Sequence, residues 1–181
     1  MRPSYWAGLA IAALAFYKRT TLQGLAMTTN SALSNANVQA FLAMIRHFES
    51  GGDYAILYGG GHFSDFSTHP DVKVPFYDQQ LGREDYSTAA GAYQINYPTW
   101  LIWRAVALTG NDFSPPSQDK LAIAGLKLHG VLPDIMEGNF AAAVAGISNV
   151  WASMPGSAAQ QNPASLAAVR TVYTDNGGLI A

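Results

Sequence analysis

Apolar residues recur at helical spacing between Asn35 and Ser50: Val38, Phe41, Leu42, Ile45 and Phe48 fall on one stripe, with Ser34 or Asn35 available as N-cap and Gly51 as a stop. The pattern predicts a helix. From Gly51 to Tyr97 it breaks into short mixed runs, "YAILYGGGHFSDFSTHPDVKVPF", punctuated by Gly59 to Gly61, Pro70 and Pro75; these read as a small hairpin region and loops. Helical spacing returns over Pro98 to Leu108, over Ser117 to His129 after Pro115 and Pro116, over Phe140 to Trp151, and over Pro163 to Thr174, closing at Gly177. Helices therefore surround one irregular β region. A single α+β domain over residues 35–181 is predicted, behind a polar linker at 27–34.

One position breaks the first helix's pattern. On a wheel of about 100° per residue, Glu49 falls about 20° from Val38, between Leu42 and Ile45 and inside the apolar stripe. Arg46 and His47 lie off to the side, so neither is an obvious partner within the helix, although Asp53 or a distant residue could supply one. A carboxyl group pushed toward a core favours its protonated form, so its pKa should rise. A neutral acid near neutral pH is what general-acid catalysis needs, and glycosidic cleavage is the chemistry that most often uses one. The plainer reading is a last-turn Glu whose carboxylate leaves the stripe for solvent where the helix ends.

Composition narrows the classes. The chain of 181 residues is 49% hydrophobic and 12% charged, enough apolar material for a packed core. A formal net charge of -2, with dispersed basic residues, argues against a nucleic-acid partner. No cysteine is present, which excludes disulfides, thiolate metal sites and a cysteine nucleophile. His62 and His69 lie seven apart in the β region without a third ligand at metal spacing, so no metal or other cofactor is expected.

The stretch "SYWAGLAIAALAFY", residues 4–17, is uncharged and mostly apolar, and lies between Arg2 and the pair Lys18 and Arg19. As a helix it would span about 21 Å, short of the roughly 30 Å hydrocarbon core. Residues 1–26 are therefore open between a signal or anchor segment, with transient membrane contact through 4–17, and a mis-assigned start with translation beginning at Met27.

The strings "ESGGDY" (Glu49 to Tyr54), "GGGHFSDFSTHP" (Gly59 to Pro70), "STAAGAYQI" (Ser87 to Ile95), "DFSPPSQD" (Asp112 to Asp119) and "SNVWASMPG" (Ser148 to Gly156) follow one another in order. Together they resemble the phage lambda lysozyme (endolysin) family, over residues 35–173. The resemblance implies a lysozyme-like α+β fold and a lytic transglycosylase. Such an enzyme cuts the bond between N-acetylmuramic acid and N-acetylglucosamine in peptidoglycan and leaves a 1,6-anhydro end. It further implies that Glu49 matches the family's single essential acid, which ends the first helix just before a loop. A monomer held in the bacterial cytoplasm until release, and acting on glycan strands in the periplasm or cell wall, is the expectation, with residues 4–17 as an inner-membrane tether if they are an anchor.

Several neighbours are candidates for holding sugar. Gln94 and Tyr93 lie in the string that borders the cleft in this superfamily, where Tyr93 could equally be a core aromatic with a satisfied hydroxyl. Ser87 could equally be a turn residue. Tyr54 is a candidate stacking wall and Asn149 a polar cleft residue, whereas Trp151 reads as core. The pattern departs from the family in a shorter loop between Glu49 and Tyr54, in Ala92 where an arginine is expected, and in "SAAQQ" after Gly156. Two other outcomes stay open: a hydrolytic lysozyme on the same fold using Asp53, Asp65 or Asp71 as second carboxylate, and an inactive peptidoglycan-binding homologue.

Overall fold

The computed structural model describes residues 29–78, 82–157 and 163–181. The apolar stretch 4–17, with the rest of residues 1–28, lies outside them, as do residues 158–161 of the segment after Gly156.

The first predicted helix is α2, Ala36–Ser50, after a short α1 at Thr29–Leu33. Asn35 is the N-cap of α2: its side-chain oxygen accepts from the Val38 N–H at 3.1 Å. Gly51 ends it in the left-handed region, φ 66°, while the Gly51 and Gly52 N–H groups close back on the carbonyls of His47 and Arg46. The polar linker predicted at 27–34 thus holds a helix. A helix this short would not hold by propensity alone, but Ala32 is buried in the core, and tertiary packing decides.

An antiparallel hairpin follows, β1 Val74–Asp78 paired with β2 Arg83–Ser87, with Val74 opposite Ser87 and Phe76 opposite Asp85. Its alternation turns Phe76 inward, where it meets the Tyr58 ring at 5.7 Å, and leaves Tyr77 and Tyr86 exposed. Four more predicted regions hold helices: α3 Tyr97–Ala107, α4 Pro115–Leu128, α6 Phe140–Gly146 and α7 Leu166–Asp175. A further helix, α5 Leu132–Glu137, has too few residues to show a period.

Three boundaries moved for physical reasons, one of them the start of α7, which lies at Leu166 instead of Pro163 because Ser165 is its N-cap, the hydroxyl accepting from the Ala168 N–H at 3.1 Å. Helix α4 begins at Pro115 because a proline suits the first helical position, where its missing N–H costs no bond. Helix α6 stops at Gly146 instead of running to Trp151, and residues 147–154 fold into successive turns, with Val150 N–H on Ile147 O and Met154 N–H on Trp151 O.

Phe41 of α2 is the centre of one end of the core, packed edge-on to Phe140 of α6 at 6.3 Å and Tyr173 of α7 at 6.1 Å. Trp103 of α3 meets Trp151 at 5.8 Å on the other side. The stripe of α2 is thus covered by helices along most of its length, and only its C-terminal turn, with Glu49, reaches an opening. No helix of the described residues is long and apolar enough to cross a membrane.

Candidate active site

A cleft of about 470 Å³ opens at the C-terminal end of α2, lined by Glu49, Tyr58, Ser87, Gln94, Asn96 and the turn Val150 to Ser153, among others. Its walls are held together by backbone bonds: Tyr58 N–H donates to Ala89 O at 2.9 Å and Gly91 N–H to Ile56 O at 2.8 Å. The segment after Glu49 and the segment "STAAGAYQ" are therefore one surface.

Glu49 is half-buried in this cleft, and burial pushes its carboxyl above the usual carboxylate range, against the opposing effect of hydrogen bonds from Ser153. The direction agrees with the wheel, but the group is not without a partner: its Oε1 accepts from the Ser153 N–H at 3.3 Å and from the Ser153 hydroxyl in a short bond. Sequence reasoning missed Ser153, which lies 104 positions away in an irregular turn that no period marks. It also missed Tyr58 and Asn96. Asn96 does carry a signal, as an N-cap type residue before the helix of Pro98. Its Oδ1 turns back to accept from Thr88 N–H at 3.2 Å and from the hydroxyls of Ser87, 3.5 Å, and Thr88, 3.4 Å.

The other candidates divide. Gln94 lines the cleft in a left-handed conformation, φ 45°, its Nε2 donating to Gly91 O at 3.0 Å. Ser87 also lines it, while its Oγ accepts from Ala89 N–H at 3.2 Å, so it is a turn residue as well. Tyr93 does not reach the cleft wall. It is buried, and its hydroxyl donates to Asp119 Oδ1 at 2.6 Å and accepts from Arg46 at 2.7 Å. Tyr54 is drawn to the same carboxylate at 2.8 Å, so its ring is not the cleft's stacking wall. Asn149 faces solvent outside the cleft, because the turn that follows α6 points Val150 inward instead.

The Tyr54, Tyr93, Arg46 and Asp119 cluster lies behind the cleft. Arg46 pairs with Asp119 at 3.2 Å and lies 5.7 and 5.8 Å from the two ring centres. Burial and the Asp119 charge push the Tyr54 hydroxyl up to about 12. Beside it, Gln118 is fully buried and ties Ala92 N–H, at 2.8 Å, to the carbonyls of Tyr54 and Phe113, at 3.0 and 2.9 Å. Residues 118 and 119 of α4 thus hold both segments that form the cleft floor. Trp151 is core as read, its Nε1 donating to Tyr93 O at 3.0 Å, and one side of it also lines the cleft.

The aspartates weighed as second carboxylates are elsewhere. Asp53 accepts from Ala55 N–H and lies 2.7 Å from His62, Asp65 accepts from Ser67 N–H, and Asp71 does not line the cleft. Among the described residues lining the cleft, Glu49 is the one carboxylate. No group of three or more His, Asp or Glu among the described residues is placed to hold a metal. His69 is instead buried among Tyr97, Trp100 and Phe113, its Nδ1 accepting from Asp71 N–H and its Nε2 facing Ile95 O.

The family model described as Endolysin matches residues 39–180. The endolysin of Escherichia phage P2 is 33% identical over 161 residues, covering 82% of this chain and 97% of that protein. The endolysin of Escherichia phage lambda is 40% identical over 103 residues, 57% of this chain and 61% of its own length. Among solved structures, bacteriophage lambda lysozyme complexed with a chitohexasaccharide superposes with a TM-score of 0.72 at 31% identity, over 81% of this chain and 97% of that one. A second structure of the lambda lysozyme gives 0.69.

Proposed function

This chain belongs to the endolysin family, and we propose that it cleaves the glycan strands of peptidoglycan as a lytic transglycosylase with Glu49 as its single acid and base. As a peptidoglycan-degrading enzyme it needs a cleft that accepts a sugar chain, and the similar lambda lysozyme is known with a chitohexasaccharide bound. The observation that carries the finer reading is that Glu49 is the one carboxylate among the described residues lining the cleft.

Most hydrolysing glycosidases use two carboxylates, one as acid and one as nucleophile or base. With Glu49 alone, the reaction balances if the substrate provides the nucleophile. Protonated Glu49 gives its proton to the leaving glycosidic oxygen as the bond to C1 breaks. The 6-hydroxyl of the same muramic residue then attacks C1, and the Glu49 carboxylate takes that hydroxyl's proton. One C–O bond breaks, one forms, no water is consumed, and Glu49 ends as it began. Burial in the cleft favours the protonated acid, and Ser153 supports the carboxylate once it forms. Gln94, Ser87 and Asn96 offer polar contacts to the sugars along the wall.

The reading extends to place: synthesis in the bacterial cytoplasm and action at the cell wall after release. It is tested with wild type and Glu49→Gln on purified cell walls. Wild type should clear the suspension and leave anhydro-muropeptides by mass spectrometry, while Glu49→Gln should lose about 10³-fold or more in rate. Reducing muramic ends from wild type, or equal clearing by both proteins, would overturn it.

A further inference from the structure

We infer that Ser153 is a positioning residue that confines the working proton of Glu49 to one oxygen, Oε2, so that the same atom delivers the proton to the leaving group and later collects one from the 6-hydroxyl. The inference rests on the acid/base reading above and deepens it. Both donors of Ser153, the backbone N–H and the hydroxyl, converge on Oε1. An oxygen that accepts two hydrogen bonds is a poor place for a proton, since protonation would turn one donor away. Oε2 has no hydrogen-bond partner among the described residues, which leaves it for the substrate.

The clamp is itself held. The Ser153 carbonyl accepts from Ala164 N–H at 2.9 Å, Met154 is fully buried, and Trp151 is pinned to Tyr93 O. Tyr93 in turn is fixed by Arg46 and Asp119. A serine hydroxyl on a floating loop would follow Glu49, whereas here the loop is anchored to the core and Glu49 is oriented by it. Among the described residues no charged group competes for the carboxylate. Tyr58 is the other titratable residue of the cleft lining; Arg46, one turn earlier on α2, is engaged by Asp119; His47 is exposed; and Asp53 is paired with His62. The contact also favours the ionised form, so it makes Glu49 a stronger acid than burial alone would allow.

Ser153→Ala keeps the backbone donor and removes the hydroxyl, while Ser153→Thr keeps both. The carboxyl carbon of Glu49, followed by NMR in the full chain against pH, reads the proton directly, and the pH profile of cell-wall cleavage reads its use. In Ser153→Ala the midpoint of the carboxyl titration and the alkaline limb of the profile should both move to higher pH. The rate at the plateau should fall about tenfold with little change in KM, as one charge-assisted hydrogen bond is lost, and Ser153→Thr should restore most of it. An unmoved midpoint and profile in a folded Ser153→Ala would overturn the role, as would Ser153→Thr behaving like Ser153→Ala. Glu49→Gln measured alongside separates the two claims. If it cleaves walls like wild type, the acid/base reading has failed; if it is inactive while Ser153→Ala is unaltered, only the part assigned to Ser153 has failed.

Discussion

Gly91→Ala is a compact test of how the cleft floor is built. Gly91 has φ 73°, and a Cβ added there would lie 2.1 Å from Gln118 Oε1 and 2.6 Å from its Cδ. The left-handed backbone costs an alanine about 1 kcal/mol. The overlap costs more, because Gln118 is fully buried and cannot retreat without dropping its bonds to Ala92, Tyr54 and Phe113. Leaving one or two of those backbone groups unpaired costs about 1–3 kcal/mol each. We expect a total of about 3–5 kcal/mol, which lowers Tm by about 10 °C in a chain of this length. Urea unfolding and calorimetry measure it, with m unchanged if only the native state is affected. The double variant Gly91→Ala with Gln118→Ala should be worse than Gln118→Ala alone only by the backbone cost of about 1 kcal/mol, since the obstacle is gone; the coupling should be about 2–4 kcal/mol. A single-variant loss below about 1 kcal/mol, or strict additivity, would refute the view that Gln118 is a fixed clamp.

Burial raises the Glu49 carboxyl, so at low pH, where it is neutral in both folded and unfolded chains, Glu49→Gln should change stability little. As pH rises the unfolded chain ionises first, and wild type loses stability through that interval. At pH 7 the variant should therefore melt higher than wild type; equal melting at both pH values would contradict the burial argument. Tyr54 gives the same sign at the alkaline end. Raised from 10.0 to about 12, it leaves stability intact below pH 10 and erodes it as pH climbs from there through 12, which thermal melts across that range will register. Asp119→Ala leaves Arg46, Tyr54 and Tyr93 without their common acceptor; with both partners of the ion pair partly exposed, a loss of about 2–3 kcal/mol is expected by denaturant unfolding.

Much of the scaffold was readable in the chain because it is written in local signals. Asn35 and Gly51 bound α2, and the stripe Val38, Phe41, Leu42 and Ile45 is buried as its period requires. The displacement of Glu49 into that stripe was visible for the same reason. What could not be read was long-range pairing. Ser153 reaches Glu49 only because α6 ends at Gly146 and the following turns bring residues 151–154 back over Tyr93, and nothing local in "SNVWASMPG" encodes that path. Tyr93 and Tyr54 were candidates for sugar contact because their rings are amphipathic, yet one carboxylate, Asp119, draws both hydroxyls away from the cleft. Their destination depends on α4, more than twenty positions beyond Tyr93 in sequence.

The central claim is that the substrate, and not water, supplies the nucleophile for a reaction run by one carboxyl group. Digesting cell walls in water enriched in ¹⁸O and weighing the muropeptides tests it most directly. The account predicts anhydro ends that carry no ¹⁸O, and loss of these products in Glu49→Gln. Reducing ends carrying ¹⁸O would show that water attacks, and would contradict it.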